Sequence, residues 1–192
     1  FTGPRHVFPS EVSGVFTADE IPLRIFIGSG HVELRGWDEP GYRAEIVVNL
    51  RASSPEEARR RAQEAYRLTA DEGRFELESD RWFDWSDLSV NLTLYLPRGK
   101  RYRLETRTGN GHVDIDAVDL ACGSGRSGNG RIRFAGGAAD RLYLKSGNGS
   151  VEVDGDVADL EVTTGNGSIT VVPRERRAES LQLKTGNGSI RI

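Results

Sequence analysis

The sequence predicts an all-β protein, a single-stranded β-solenoid with one α-helix inserted in its N-terminal part. Three observations predict this class: a Gly-Asn-Gly motif that recurs five times, nearly constant spacing between its copies, and apolar residues that alternate on both sides of each copy. Self-similarity at a fixed period is the sequence signature of repeat architectures. We therefore expect units of strand, corner and strand that stack on one another.

Each copy of the motif has Thr or Ser before Gly-Asn-Gly, and the first glycines of successive copies are 19, 19, 18 and 21 residues apart. A degenerate copy lies at 27–30. Glycine adopts positive φ at the lowest cost of all residues and asparagine at the second lowest, so the motif predicts a sharp corner. Stacked corners would bring the asparagine amides into a ladder of hydrogen bonds. The residues predicted for this corner ladder are Gly109, Asn110, Gly111, Gly128, Asn129, Gly130, Gly147, Asn148, Gly149, Gly165, Asn166, Gly167, Gly186, Asn187 and Gly188.

The flanks of the motif predict strands. Apolar residues stand five and three positions before the first glycine and four and six positions after it, which places them on one face of each strand. The copy around Gly128 departs from this pattern, because Gly123 and Gly125 occupy its pre-corner positions. Either that unit is under-packed, or Leu120 and Cys122 fill the space through a bulge.

Successive antiparallel hairpins are the alternative arrangement, because Asn-Gly is also a strong hairpin signal. A two-stranded unit of this length is unstable alone, whereas stacked units bury one another's apolar faces. Identical corners with matching flanks favour stacking.

The N-terminal part, residues 1–100, interrupts the repeat that fills residues 101–192, and we expect one domain over 1–192. Alternating residues predict strands at 42–50, 74–78 and 88–96. Ser54 as N-cap, Pro55 at the first helical position and Glu57 predict a helix over about 54–70, with its arginines facing solvent. Such a helix is placed to cap the open end of the stack.

Composition and motifs give no indication of catalysis. The net charge of -3 does not favour nucleic acid binding. The sequence contains no fingerprint of a nucleophile elbow, zinc protease, phosphate loop or dinucleotide site, so we expect no catalytic residue and no cofactor. A carbohydrate-acting hydrolase remains an alternative, because parallel β-helices can hold paired carboxylates on one face; a structure without a cleft holding paired acidic side chains would remove it.

Metal binding is also not expected. His31 and His112 follow the second glycine of their corners, so stacking would bring their rings together. Two imidazoles alone are an incomplete zinc site, and exposed corner residues are the simpler interpretation. Four aspartates raise the question of calcium, but the glycine-rich nonapeptide of calcium-binding β-rolls is absent; they are Asp114, Asp116, Asp154 and Asp156.

Two surface segments are candidates for partner recognition. Trp82, Phe83 and Trp85 form the densest aromatic stretch, which either binds a partner or packs under the inserted helix. A second segment carries arginines that would meet an acidic polymer or lie in a solvated loop; they are Arg174, Arg176 and Arg177.

The sequence resembles the bacterial "putative adhesin" family, also called the toast-rack domain. The resemblance rests on the strand ending at 94–97, the repeated Thr/Ser-Gly-Asn-Gly units through Ile192, and the early segment 30–37 followed by a strand and a Ser-Pro-Glu-Glu helix start. It covers nearly the whole chain and carries no catalytic residue to transfer. It implies a β-solenoid that is exported or membrane-tethered and acts in adhesion or envelope-stress signalling.

These observations predict a non-enzymatic, extracytoplasmic module in the periplasm or at the cell surface. The chain begins at Phe1 and contains no Met, so either a signal or anchor segment has been removed or the sequence is a piece cut from a longer chain; we expect the former. A protein or a cell-wall glycan is the expected partner, with a membrane tether outside this segment. The alternative is a scaffold that, like bactofilins, polymerises end to end through its last unit.

Overall fold

The structure, a computed structural model, describes residues 3–79, 87–174 and 178–192. Over these residues the chain is mostly β, with one helix. Helix α1 (Pro55–Glu64) lies between the fourth and fifth strands. The strands are β1 (Arg5–Gly14), β2 (Glu20–Ser29), β3 (Val32–Trp37), β4 (Tyr42–Arg51), β5 (Tyr66–Ala70), β6 (Phe75–Ser79), β7 (Ser89–Pro97), β8 (Arg101–Asn110), β9 (Val113–Asp116), β10 (Leu120–Asn129), β11 (Ile132–Asn148), β12 (Val151–Asn166), β13 (Ile169–Pro173), β14 (Ser180–Asn187) and β15 (Ile190–Arg191).

The described strands join in one curled, open sheet, and β11 and β12 are long enough to run through both of its halves. The pre-corner half consists of β2, β8, β10, the later parts of β11 and β12, and β14. The post-corner half consists of β3, β9, the first parts of β11 and β12, β13 and β15. One pre-corner strand, its corner and the next post-corner strand are called a coil below.

The repeat strands pair in parallel and in register, so the hairpin alternative is wrong for them. Asn110 lies opposite Asn129, which lies opposite Asn148, and the same register continues through Asn166 to Asn187. The degenerate first copy obeys it as well, because Ser29 lies opposite Asn110. Antiparallel pairs among the described strands involve only β1 with β4, β4 with β7, and β5 with β6.

One cluster of alternating apolar side chains fills the space inside the curled sheet. Leu104 and Leu144 from the pre-corner half and Ile115 and Val153 from the post-corner half belong to it, and all are buried. Each coil contributes few such side chains, so the apolar face of one coil is covered only when its neighbours are in place. Stability of the repeat therefore depends on contacts between coils.

The inserted helix is shorter than predicted. It begins as expected, with the Ser54 hydroxyl accepting a 3.2 Å hydrogen bond from the Glu57 backbone N–H, but it ends at Glu64, and the prediction to residue 70 is wrong. Residues 66–70 form β5, antiparallel to β6, because their period-two pattern lets them pair across a tight turn at Asp71. Helix α1 packs against β4, β1 and β5.

The expectation that the helix arginines face solvent is wrong for Arg61. This side chain is buried and forms a two-pronged ion pair with Asp87, with Nη2–Oδ1 at 3.0 Å and Nη1–Oδ2 at 3.3 Å. It also donates to the Arg51 carbonyl. Burial alone would raise the pKa of Asp87, but the hydrogen bonds and charge of Arg61 outweigh it and hold that pKa below its usual value. The helix is thus locked to the segment before β7.

The predicted strands at 42–50, 74–78 and 88–96 are confirmed to within one residue, whereas β1 was not predicted. Pro9 interrupts the pattern of β1, which suits its position at the edge of the sheet. Of the two alternatives for the copy around Gly128, the structure has the bulge, between Leu120 and Cys122, but only Leu120 fills the core, while Cys122 is exposed.

Candidate functional site

The corners carry a continuous asparagine ladder along one edge of the stack. Each side-chain amide donates to the side-chain carbonyl of the preceding coil, so the bonds share one direction. The four Nδ2–Oδ1 distances are 2.8, 2.8, 2.7 and 2.8 Å, for Asn129–Asn110, Asn148–Asn129, Asn166–Asn148 and Asn187–Asn166. Aligned amide bonds polarise one another, which stiffens the edge.

A second ladder, which sequence reasoning missed, explains the Thr or Ser that opens each motif. This hydroxyl donates a 2.9 Å bond to the backbone carbonyl of the second glycine of the preceding coil. Thr108, Ser127 and Ser146 are buried, so without these bonds their hydroxyls would be left unsatisfied. The constant Thr or Ser in the motif was the signal that pointed to it.

The corner glycines are required mainly by the neighbouring coil. A Cβ placed on Gly128 would lie 2.5 Å from the carbonyl oxygen of Gly109, and Gly147 stands in the same relation to Gly128. The corner asparagines do not adopt the positive φ that the sequence predicts, because Ala117 is the one non-glycine residue with positive φ in the described part of the chain. Glycine thus allows the corners to approach closely, and the asparagine side chains form hydrogen bonds from one corner to the next.

The two histidines are adjacent at the start of the corner edge. Their rings stack with centroids 3.9 Å apart, and Nε2 of His112 lies 3.3 Å from Oε1 of Glu33. Burial, and then the charge of His112, lowers the pKa of His31 against the opposing effect of Glu33. Stacked rings do not point their lone pairs to a common centre, and no three His, Cys, Asp or Glu side chains of residues 3–79, 87–174 and 178–192 are grouped to hold a metal.

On the outer surface of the post-corner half, charged side chains neutralise one another across coils. Asp114 lies 3.3 Å from Nη1 of Arg133, and Asp154 lies 2.7 Å from Nε of Arg174. The Arg174 hydrogen bond lowers the pKa of Asp154. The aspartates considered for calcium thus include two that bind arginine in this structure.

The outer surface of the pre-corner half differs, because it carries a basic row. The row consists of Arg107, Arg126, Lys145 and Lys184, with Thr163 between the last two. Its members occupy one register position on the stacked parallel strands, where neighbouring strands are about 4.8 Å apart. Arg126, Lys145 and Lys184 are exposed.

A shallow cleft of about 370 Å³ lies beside the basic row, between β10, β11, β12 and β14. Asp159 and Glu161 line it from β12, and they face Arg141 and Tyr143 of the preceding coil. The cleft is open to solvent, and Arg126 covers the ring of Tyr143, with its Cζ 5.4 Å from the ring centroid. Two carboxylates therefore share one open surface, which leaves the hydrolase alternative to experiment.

The aromatic candidates Trp82, Phe83 and Trp85 lie outside the described residues, as do Arg176 and Arg177. Arg174 is described and binds Asp154. None of the helices in the described ranges has both the length and the apolar character that a bilayer-spanning helix needs.

Solved structures similar to this chain come from Clostridium, Bacteroides and Parabacteroides species and match it over nearly its whole length. A "putative cell adhesion protein" from Clostridium sporogenes is 13% identical, with a TM-score of 0.57, over 96% of this chain and 99% of that chain. A "putative adhesin" from Bacteroides fragilis is 14% identical (TM-score 0.40; 97% and 96% covered), and one from Parabacteroides merdae is 6% identical (TM-score 0.32; 97% and 96% covered).

The likeness to the Clostridium protein shows a shared fold. The description of the Clostridium protein agrees with the family that the sequence resembles. No model of a protein family matches this sequence, and no curated protein matches it.

Proposed function

We propose that this chain is a non-enzymatic β-solenoid that presents a rigid surface for adhesion or partner binding outside the cytoplasm. The observation that carries the proposal is the paired ladder at the corners, in which each coil from Asn110 to Asn187 is bonded to the next through both a hydroxyl and an amide. Such an edge holds the outer faces of successive coils at a constant spacing.

Rigidity suits a binding surface, because a preformed array loses little conformational entropy when a partner binds. The outward residues of each coil lie opposite those of the next, and at the corners the same group, the asparagine amide, repeats along the stack. A partner that itself repeats, such as a cell-wall glycan, can therefore make the same contact several times. The extracytoplasmic location is supported by the description of the Clostridium sporogenes structure as a "putative cell adhesion protein".

Retention measurements test this function. The purified chain is incubated with insoluble peptidoglycan, with collagen-coated beads, and with beads carrying acidic or neutral polysaccharide. The bound fraction and the reducing ends released into the supernatant are both measured. Retention on at least one surface, above that of serum albumin and without release of reducing ends, supports the proposal.

Two results would overturn it. One is the absence of retention on every surface. The other is release of reducing ends that disappears in the variant Asp159→Asn/Glu161→Gln, because this result would make the cleft an active site with paired carboxylates.

Self-association is a second candidate, favoured by the last coil. In the described residues β14 pairs with β12 alone and β15 with β13 alone, so one edge of each strand has no partner. Leu181, Ile190 and Ile192 on this coil are exposed by 38%, 42% and 74%. Unpaired apolar edges favour pairing with another chain.

The opposite end of the stack favours a dimer over a polymer. The outer strands there are β1 and β5, which run antiparallel to β4 and β6, so the parallel last coil of another copy does not find a matching coil. Sedimentation across a concentration series tests the candidate, with the variant Leu181→Lys/Ile190→Lys as comparison. A dimer that the variant loses supports it, and a monomer at all concentrations excludes it.

A further inference from the structure

The basic row differs from the rest of the surface in how its charges are arranged. Arg107 lies opposite Arg126, and Arg126 lies opposite Lys145, so like charges are direct neighbours. Like charges directly opposite one another on a sheet are destabilising. Arg107 forms an ion pair with Glu105 of its own strand, with Nη2–Oε1 at 3.6 Å, but among the described residues no ion pair within 4.0 Å involves Arg126, Lys145 or Lys184.

The post-corner half shows that this arrangement is not a general property of the chain. There, arginine and aspartate meet across neighbouring coils, as Arg133 with Asp114 and Arg174 with Asp154 do. The pre-corner half has such pairs near the start of its strands, as Arg103 with Glu20, but not at Arg126, Lys145 and Lys184. A line of unpaired charge attracts a partner with a complementary line of negative charge.

The surface next to the basic row is flat on the corner side. Two residues after each basic residue stands the first glycine of the corner, and we call Gly109, Gly128, Gly147 and Gly186 the glycine ledge. The ledge has no side chains, so a chain lying on it can approach the backbone closely. The asparagine ladder forms its far border.

The asparagine ladder keeps free hydrogen-bonding capacity. Each amide has two N–H donors and two carbonyl lone pairs, and the ladder uses one of each at Asn129, Asn148 and Asn166. These side chains are exposed. The remaining groups match the hydroxyls of sugars, which both donate and accept.

We propose that the basic row, the glycine ledge and the asparagine ladder together bind an acidic glycan that lies along the stack. Carboxylates on its sugars face the basic row, and its hydroxyls face the amides. This inference rests on the proposed function and names the chemical class of its partner. The polymer would thus contact the outer surface of the pre-corner half where its strands meet the corners.

The width and surroundings of the site favour a glycan over nucleic acid. Glu105 and Glu161 stand two residues before the basic row, so a broad, highly charged duplex would meet them. Single strands are bound by stacking bases on exposed aromatic rings, but the ring of Tyr143 beside the row is covered by Arg126. The single line of cations suits a narrow chain.

Binding to polygalacturonate tests the proposal, with dextran as the neutral glycan and oligothymidylate as the nucleic acid. Biolayer interferometry at several salt concentrations compares the wild type with Arg126→Gln/Lys145→Gln. The matched control is Arg59→Gln/Arg60→Gln, which removes the same charge from exposed positions on α1. Circular dichroism melts establish that the variants are folded.

We expect polygalacturonate to bind, dextran not to bind, and the row variant to lose roughly tenfold in affinity. We also expect the slope of log affinity against log salt to fall by about one to two, since two contacts are removed, while the control keeps both values. Equal losses in row variant and control would overturn the proposal, as would an unchanged row variant or no binding of polygalacturonate. Preferred binding of oligothymidylate through the row would replace the glycan by nucleic acid.

The two proposals fail separately. Retention on a surface in the assays of the proposed function, unaffected by Arg126→Gln/Lys145→Gln, would leave the adhesive function and remove the basic row as its site. Loss of retention on all surfaces would remove both.

Discussion

The side-chain amide of Asn129 donates a 2.8 Å hydrogen bond to the side-chain carbonyl of Asn110, one coil and 19 residues earlier. The same bond recurs from coil to coil as far as Asn187. This relationship makes the corner edge a structural unit, and its energetic weight can be measured at any one member.

Replacement of Asn148, in the middle of the ladder, removes one donated and one accepted bond. We expect Asn148→Ala to lower the free energy of unfolding by about 1–2 kcal/mol, toward the low end because the side chain is exposed. Asn148→Asp should cost more, since it sets a carboxylate against the carbonyl of Asn129. Urea denaturation measures the effect of both variants, with Ser150→Ala as the control. A urea midpoint for Asn148→Ala equal to that of the wild type would show that the ladder does not contribute to the free energy of unfolding.

The close approach of the corners predicts opposite outcomes at the first glycine of two different copies of the motif. A Cβ on Gly128 would lie 2.5 Å from the Gly109 carbonyl oxygen, whereas a Cβ on Gly28 would meet nothing within 4 Å. Gly128→Ala should therefore destabilise the chain by about 1–3 kcal/mol, because the coils must separate. Gly28→Ala should melt like the wild type, and equal melting temperatures for the two variants would contradict the steric explanation.

The buried ion pair of Arg61 with Asp87 predicts a large loss when one partner is removed. Arg61→Ala leaves the carboxylate of Asp87, only 13% exposed, without its counter-charge. We expect a loss of about 3–5 kcal/mol in unfolding free energy. Chemical denaturation measures it, with exposed Arg59→Ala as control; the double variant Arg61→Met/Asp87→Asn should recover part of the loss, and no recovery would count against charge as the cause.

Thr106 offers a stabilising substitution. Its side chain is fully buried in the apolar cluster, and its hydroxyl has no hydrogen-bond partner in the structure. Thr106→Val replaces that hydroxyl with a methyl group of similar size, so it should raise the unfolding free energy by about 1 kcal/mol. Thr108→Val is the contrast, because it breaks a 2.9 Å bond to the Gly30 carbonyl and should destabilise the chain. A lower melting temperature for Thr106→Val would show that the hydroxyl is satisfied in solution.

The lowered pKa of His31 predicts pH-dependent stability. In the folded chain burial and the charge of His112 lower this pKa from 6.5, so below about pH 6.5 the unfolded chain binds more protons than the folded one. The free energy of unfolding that neutral His31 contributes is present in full above about pH 6.5, and it falls as the pH drops from there through the lowered pKa of the folded chain. His31→Ser, the residue of later corners, should flatten the decline between about pH 7.5 and about pH 5.5. Identical declines in variant and wild type would contradict this.

Local patterns in the sequence predicted much of the fold. The period-two alternation located β4, β6, β7 and the strands of the repeat, and the Ser-Pro-Glu-Glu motif located the start of α1. The predicted end of α1 was wrong. Residues 66–70 carry both an apolar pattern of helical period and a strand alternation, and pairing with β6 decides in favour of the strand. Strand β1 was missed, since its pairing with β4 is a long-range contact.

The sequence by itself determined that the chain forms short, repeated β units with an asparagine and two glycines at each turn, because these properties are written in residues that are neighbours along the chain. Only the tertiary structure decided that position 128 must be glycine, because a side chain there would collide with the carbonyl oxygen of Gly109. It also decided that the Ser127 hydroxyl donates to the carbonyl of Gly111 and that Arg107 lies beside Arg126. The physical reason is that each of these relationships joins atoms of different coils, and their distance depends on the register in which the coils stack.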